Sequence, residues 1–341
     1  MKSYSLGDIA GQLNLQLIGD PDCPIKGLGT LASAGAGEIS FLSNSSYLGQ
    51  LASTSASAVI VEARHADAAP TSVLIAEHPY VAFAHLSQLF AELPSVEAGV
   101  HASASVAASA SLGEGVCIGA NAVIEDDVEI GANSAIGPGT VVGRGVRLGE
   151  NCRLHAQVTL YHGVQIGSRV TVHSQAVIGA DGFGFAFDGT RRVKIQQLGS
   201  VQIGDDVDIG AGTTIDRGAI EDTIVEHGVK IDNQVQIGHN CYIGAHTVIC
   251  GCTAIAGSAR IGKYCILGGA SGMVGHLSLA DGVQVSAMSL VNKSITEPGT
   301  YSSGTGQMKT ADWKRAIVRF QQLEGIVRRL KELEKLVGAD D

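Results

Sequence analysis

Aromatic residues are scarce here: Phe, Trp and Tyr together make up 4% of 341 residues. Large rings normally fill a wide core, so their scarcity points to a narrow interior. No apolar core of useful length lies between Met1 and Asp20, so no signal peptide is expected. Nor does any apolar run approach the roughly 20 residues of a membrane span. Cysteines are few and odd in number, seven in all, and read as reduced packing residues of a cytosolic protein. Cys250-Gly-Cys252 is spaced too closely for a zinc-type pair. No Gly-rich phosphate loop follows a strand and opens a helix. Positive charge is in deficit, and the net charge of −10 argues against a general nucleic-acid binder.

What is present is glycine (45 residues) and a period of six. From Val106, every sixth residue is aliphatic through Leu112, Ile118, Ile124, Ile130, Ile136, Val142 and on to Ile178. The phase slips, resumes at Ile203, Ile209 and Ile215, slips again, and runs from Val225 through Ile231, Ile237 and Ile243 to Val291. Neither a helix (3.6) nor a flat strand (2) repeats at six. A short strand, a turn and the next strand do, with the aliphatic inward and Gly or Asn at the corner. Three such faces close a triangular coil of eighteen residues, and roughly ten coils at about 4.8 Å make a prism 45–50 Å long. The pattern resembles the left-handed parallel β-helix of the hexapeptide-repeat acyltransferases. The hand rests on that resemblance, because the general crossover rule favours the right hand.

The expected fold is therefore mainly β, in three parts. Residues 1–98 are off register and read as a small α/β domain. Ser5-Leu-Gly-Asp8 starts a helix, Ile39–Leu42, Ala58–Val61 and Val73–Ala76 are short buried strands, and Pro79 opens a second helix. Glu92 to Gly99, with Pro94, reads as a linker. Residues 99–298 form the β-helix, interrupted at 179–200 and again, more briefly, near Arg217 to Thr223. The first insertion carries Phe183, Phe185, Phe187, Arg191, Arg192 and Lys194. A repeat this regular need not interrupt itself, so the insertion is expected to carry a task, a tolerated excursion being the alternative. Residues 299–341 form a helical extension whose apolar stripe from Trp313 to Val337 exceeds what one helix buries alone. Lys309, Lys314, Arg315, Arg319, Arg328, Arg329 and Lys331 cluster there against Asp312 and Glu324. That patch suits an acidic partner, or the solvated face of a coiled coil.

Residues eighteen apart stack on neighbouring coils, which locates candidate chemistry. His239 falls at a corner with Gly257 and Gly275 stacked beyond it, and His276 follows. A glycine at that place leaves a backbone N–H open to a ligand, as an oxyanion site requires, although a turn alone also favours glycine. Asp232-Asn233-Gln234-Val235-Gln236 leads into this corner and is dense in hydrogen-bonding groups. His155 and His173 also stack, with His162 between them in sequence. Three histidines raise a metal-site alternative, as in hexapeptide-fold zinc hydratases, though the spacing here is wider. No metal is expected.

Several segments resemble one family: Ile39-Ser-Phe-Leu-Ser-Asn44 with Tyr47, Gly179-Ala-Asp-Gly-Phe-Gly184, Thr213-Thr-Ile-Asp-Arg-Gly218, Ile231-Asp-Asn-Gln234, Ile237-Gly-His-Asn240, and Ser294–Gly299 with Tyr301-Ser-Ser-Gly304. With the three-part layout they are similar to the UDP-3-O-(3-hydroxyacyl)glucosamine N-acyltransferases of lipid A (lipopolysaccharide) biosynthesis. The resemblance implies that Phe41, Asn44 and Tyr47 contact uracil. It implies His239 as general base, Gly257 as oxyanion donor and His276 as a second site histidine. Asp232, Asn233 and Gln236 would hold the substrate. Met288 and Leu290 would line an acyl channel, in a segment (Met288-Ser-Leu290-Val-Asn292-Lys293) less rich in Met than is usual for the family. The implied donor is a 3-hydroxyacyl chain on acyl carrier protein, whose phosphopantetheine removes the need for a cofactor. The implied assembly is a cytoplasmic homotrimer, and transfer is direct. The competing readings are a UDP-N-acetylglucosamine 3-O-acyltransferase, against which the first hundred residues count, and a non-catalytic trimeric β-helix scaffold.

Overall fold

The computed structural model describes residues 2–91 and 97–337. Most of the expected linker, including Pro94, lies outside the described residues. The chain divides into two compact units, Met1–Ser95 and Val96–Asp341.

The first unit is a five-stranded sheet in the order Gln16–Ile18, Ser72–Ile75, Ala58–Val61, Glu38–Phe41, Gly27–Leu28. Only Gln16–Ile18 runs antiparallel to its neighbour. All four residues of Ala58–Val61 are buried, as a central strand covered on both faces requires. Ile39, Ile60 and Leu74 pack on one face with the helices Leu6–Leu13 and Pro79–Phe90. Val59, Val61 and Val73 pack on the other with Leu31, Leu42 and Leu51. The first helix begins with the capping box expected at Ser5 and Asp8.

The second unit is a left-handed parallel β-helix. Its three sheets have nine, ten and eleven strands, most of them two residues long. Pairing follows the eighteen-residue offset: Ile118 lies beside Ile136, then Leu154, then Val172. These aliphatics fill one continuous interior, each contributing about 1.5–3 kcal/mol by leaving water. Across the two insertions the aliphatics still stack, Ile178 beside Ile215 and Ile215 beside Ile237, with a bulge between Ile178 and Ala180 where the first insertion leaves the coil.

Gly and Asn take many of the left-handed corners, as expected, among them Gly115, Gly139, Asn121 and Asn240. The glycine directly after the aliphatic, as at Gly131, Gly149, Gly167 and Gly262, has a different task. A Cβ on Gly131 would lie 2.5 Å from the Gly149 backbone of the next coil, so this glycine serves close coil-to-coil approach. The left-handed residue comes two positions later, for example Asn133 (φ 58°), Asn151 (φ 56°), Arg169 (φ 58°) and Tyr264 (φ 56°). Its backbone N–H is bonded to the coil before, as in Asn133 N to Glu114 O at 2.8 Å and Tyr264 N to Ala245 O at 3.0 Å. Such bonds offset the roughly 1–2 kcal/mol that an L residue loses in this region.

The expected single helix after Ala311 is two, Thr310–Gln321 and Leu323–Val337. Gly325 lies in the first turn after the break, where glycine weakens a helix. Phe320, Ile326, Leu330 and Leu333 are exposed in the single chain. All seven cysteines are free thiols. No helix among the described residues is long and apolar enough to cross a membrane.

Candidate active site

The outer face of the ten-stranded sheet gathers most of the candidates. His239 and Gly257 sit at the corner along one edge, after the strands Gln236–Ile237 and Ala254–Ile255. His276 lies on the same edge. Asp232, Asn233 and Met288 sit at the corner along the opposite edge. Gln236 and Leu290 project from the face between, joined by the ladder Gln236, Ala254, Gly272, Leu290. The small Ala254 and Gly272 leave a shallow track between them.

A cleft of about 630 Å³ opens at the His239 edge. Its floor is Asp216, Gln236, Ile255 and Gly257, and its wall is the 179–200 insertion, which contributes Asp181, Phe183, Phe185 and Lys194. The insertion folds as an antiparallel hairpin, Phe185–Phe187 against Arg192–Lys194. Arg217 N to Ala180 O (2.8 Å) and Leu198 N to Ala219 O (2.8 Å) tie its base to the solenoid. Phe183 and Phe185 meet edge to face, and Phe183 is 88% exposed. Lys194 is ion-paired with Asp181.

His239 is half-buried and firmly oriented. Its Nδ1 lies 2.9 Å from Asn240 Oδ1. The Asn240 carboxamide is fixed in turn: Oδ1 accepts from Ala219 N at 3.0 Å, and Nδ2 donates to Glu221 O at 2.7 Å. An oxygen facing Nδ1 requires the hydrogen on Nδ1, which leaves the Nε2 lone pair free. Nε2 lies against the bare Cα of Gly257, where a Cβ would be 2.6 Å away. Gly182 of the insertion meets the other end of the side chain, a Cβ there lying 2.6 Å from His239 Cβ. Among the described residues the Gly257 N–H makes no hydrogen bond.

Asp216 was not singled out by sequence reasoning, because the second insertion offsets it from the eighteen-residue stack. Burial first of all raises its carboxyl above the ordinary range, opposed by a hydrogen bond from Gln236 Nε2 (3.0 Å) and by nearby His239. Thr214 Oγ1 donates to Gln236 Oε1 and holds that amide.

The other candidates fall elsewhere. His276 is exposed, takes a left-handed corner (φ 62°) and does not line the cleft. Asp232 accepts from Asn233 N (2.7 Å) and Gly251 N (2.9 Å), and Asn233 Oδ1 accepts from Ala211 N (2.6 Å), so both side chains also brace their corner. Met288 is 77% exposed. In the first unit, Phe41 and Tyr47 line a pocket of about 280 Å³. Asn44 lines a separate pocket and caps the short helix Ser45–Tyr47 through Ser46 N. Phe41 stacks on Phe83 at 4.1 Å. The His155 and His173 rings stack at 4.6 Å, while His162 Nε2 meets the buried Arg217 guanidinium. Among the described residues no group of three potential ligands could hold a metal ion.

The sequence profile described as UDP-3-O-(3-hydroxymyristoyl) glucosamine N-acyltransferase, LpxD, matches residues 22–89. The bacterial transferase hexapeptide profile matches 100–144 and 145–180, and the hexapeptide repeat of succinyl-transferase matches 195–217. The UDP-3-O-acylglucosamine N-acyltransferase of Hahella chejuensis is 50% identical over 98% of this chain and 96% of its own. The chain belongs to the UDP-3-O-acylglucosamine N-acyltransferase family. Within that family, the protein named likewise from Chromohalobacter salexigens is 51% identical over 99% of this chain and 97% of its own. A crystal structure of Arabidopsis UDP-N-acetylglucosamine acyltransferase covers 60% of this chain and 71% of its own, at 21% identity and a TM-score of 0.55. That likeness concerns the fold. The N-acyltransferase family thus accounts for both the small α/β unit and the solenoid.

Proposed function

We propose that the protein transfers a 3-hydroxyacyl chain from acyl carrier protein to the 2-amino group of UDP-3-O-(3-hydroxyacyl)glucosamine, in lipid A biosynthesis. The observation that carries this reading is the free Nε2 of His239, held against Gly257 by Asn240. His239 takes a proton from the amine as its nitrogen attacks the thioester carbonyl. The Gly257 N–H receives the developing oxyanion. The imidazolium then returns the proton to the departing thiolate, giving amide and thiol. Transfer is direct: burial pushes the Cys241 thiol, the cysteine nearest this corner in sequence, up to about 11, far from a nucleophile's range.

Phe41, Asn44 and Tyr47 take the uridine end. Gln236 and His276 hold the sugar and diphosphate on the His239 side, and Asp232 and Asn233, on the opposite edge, join them from a neighbouring prism of the trimer. The track from Gln236 to Leu290, with Met288 at its margin, takes the acyl chain. The basic helical extension suits an acidic carrier protein. Its exposed apolar stripes suit a homotrimer, in which copies of the helices bury one another. No cofactor beyond the carrier's phosphopantetheine is required, and the setting is cytoplasmic.

The test is transfer from 3-hydroxyacyl carrier protein to UDP-3-O-acylglucosamine by wild type and His239→Ala. The variant is expected to lose about 10²–10⁴-fold in kcat with its assembly intact. Acylation of the 3-hydroxyl of UDP-N-acetylglucosamine in place of the amine would overturn the substrate assignment. Undiminished turnover by the variant would overturn the base.

A further inference from the structure

An amine differs from a hydroxyl in the number of protons it must lose. An alkylammonium with a pKa of about 8 is mostly protonated at neutral pH. It must shed one proton before it has a lone pair and a second as the amide forms. His239 accepts only one. If N-acyl transfer is the reaction, as the previous section reads it, the cleft needs another group for the first proton.

Two carboxylates line the cleft, Asp181 and Asp216. Asp181 is neutralised by Lys194. Asp216 carries no ion pair among the described residues. Its Oδ2 accepts from Gln236 Nε2 at 3.0 Å, and Oδ1 has no protein partner and is left open to the cleft. The carboxylate thus faces the same space as the free Nε2 of His239, held in place by the chain Thr214, Gln236, Asp216. The titratable groups around it are few. His239 faces it from the next coil, Lys194 and Asp181 from the insertion, and Cys241 from inside the solenoid. Arg217, next in sequence, turns its guanidinium away to His162.

We propose that Asp216 binds the acceptor's amine as an ammonium ion and takes its first proton, so that His239 meets a neutral amine. The balance is complete. R–NH3+ and the Asp216 carboxylate become R–NH2 and a carboxylic acid, which returns its proton to solvent at the open mouth of the cleft. The amine then attacks the thioester, His239 takes the second proton, and the thiolate leaves with it as a thiol. Burial supports the first transfer, because it disfavours the ion pair relative to the neutral pair.

The experiment is the pH profile of kcat/KM, from pH 6 to 9.5, for wild type, Asp216→Asn and Asp216→Glu. Asp216→Asn is expected to fall about tenfold below wild type one unit under the amine's pKa and to converge on it about one unit above. Asp216→Glu restores part of the loss. An acceptor whose 2-amino group is replaced by a hydroxylamino group, neutral at pH 7, removes the difference between Asn and wild type. A defect of the same size at every pH, also seen with the neutral acceptor, would overturn the proposal and leave Asp216 as a prop for Gln236. So would an unchanged profile. Wild-type protein that acylates no amine would instead overturn the reaction assignment, which the same plate reports separately.

Discussion

Asn240 Oδ1 lies 2.9 Å from His239 Nδ1, and this contact decides which nitrogen of the ring keeps its lone pair free. The contact is local in sequence but not self-sufficient. Asn240 is aimed by Ala219 N and Glu221 O, both from the second insertion. The insertion near Arg217 to Thr223 therefore sets the histidine's tautomer.

Asn240→Ala is expected to lower kcat about 10- to 100-fold, because the ring regains its second tautomer and its freedom to rotate. KM for the acceptor changes little. Asn240→Asp keeps an acceptor for Nδ1–H and should retain more activity than Ala. Steady-state kinetics on the three proteins decide it. A change confined to KM would show that Asn240 binds substrate instead.

Gly257→Ala puts a methyl group 2.6 Å from His239 Nε2. The ring must move, and the expected loss is about 10²-fold or more in kcat. Gly269→Ala is the matched control. Its Cβ would lie 3.4 Å from its nearest neighbour, in ordinary contact, and activity should be kept. Comparable activity of the two variants would sink the close-packed geometry of the His239 corner.

Asp216 has a folded-state carboxyl raised by burial. The folded chain holds that proton more tightly than the unfolded chain does. Its contribution to stability is therefore fully present below the unfolded value of 3.8 and is lost as pH rises through the raised folded value. At neutral pH the ionised group is a liability that Asn lacks. Asp216→Asn is expected to melt higher than wild type at pH 7 and to lose that advantage towards pH 3.5. A Tm difference independent of pH would contradict the burial of this carboxylate.

The coil could be read from the sequence because its period is enforced residue by residue. The narrow prism demands a large apolar side chain at every sixth position, so Ile118, Ile136 and Leu154 announce their own stacking. The glycines divide between two tasks. Gly115 takes a left-handed turn, whereas Gly131 leaves the turn to Asn133 and is small because the next coil passes 2.5 Å from where its Cβ would be. Composition cannot separate those two demands for glycine. The helical extension was legible by its stripe but not by its break at Gln322.

The sequence by itself determined the architecture and the corner that carries His239 and Gly257, since both follow from a strict repeat. Tertiary structure alone decided what surrounds that corner. Gly182, Phe183 and Lys194 reach it from an insertion whose length follows no period. Asp216 reaches it from a coil that the second insertion displaces from the eighteen-residue count. Their arrival depends on where two excursions return to the solenoid, through bonds such as Arg217 N to Ala180 O and Leu198 N to Ala219 O. Such long-range closures leave no local pattern in the chain, and here they complete the cleft and orient His239.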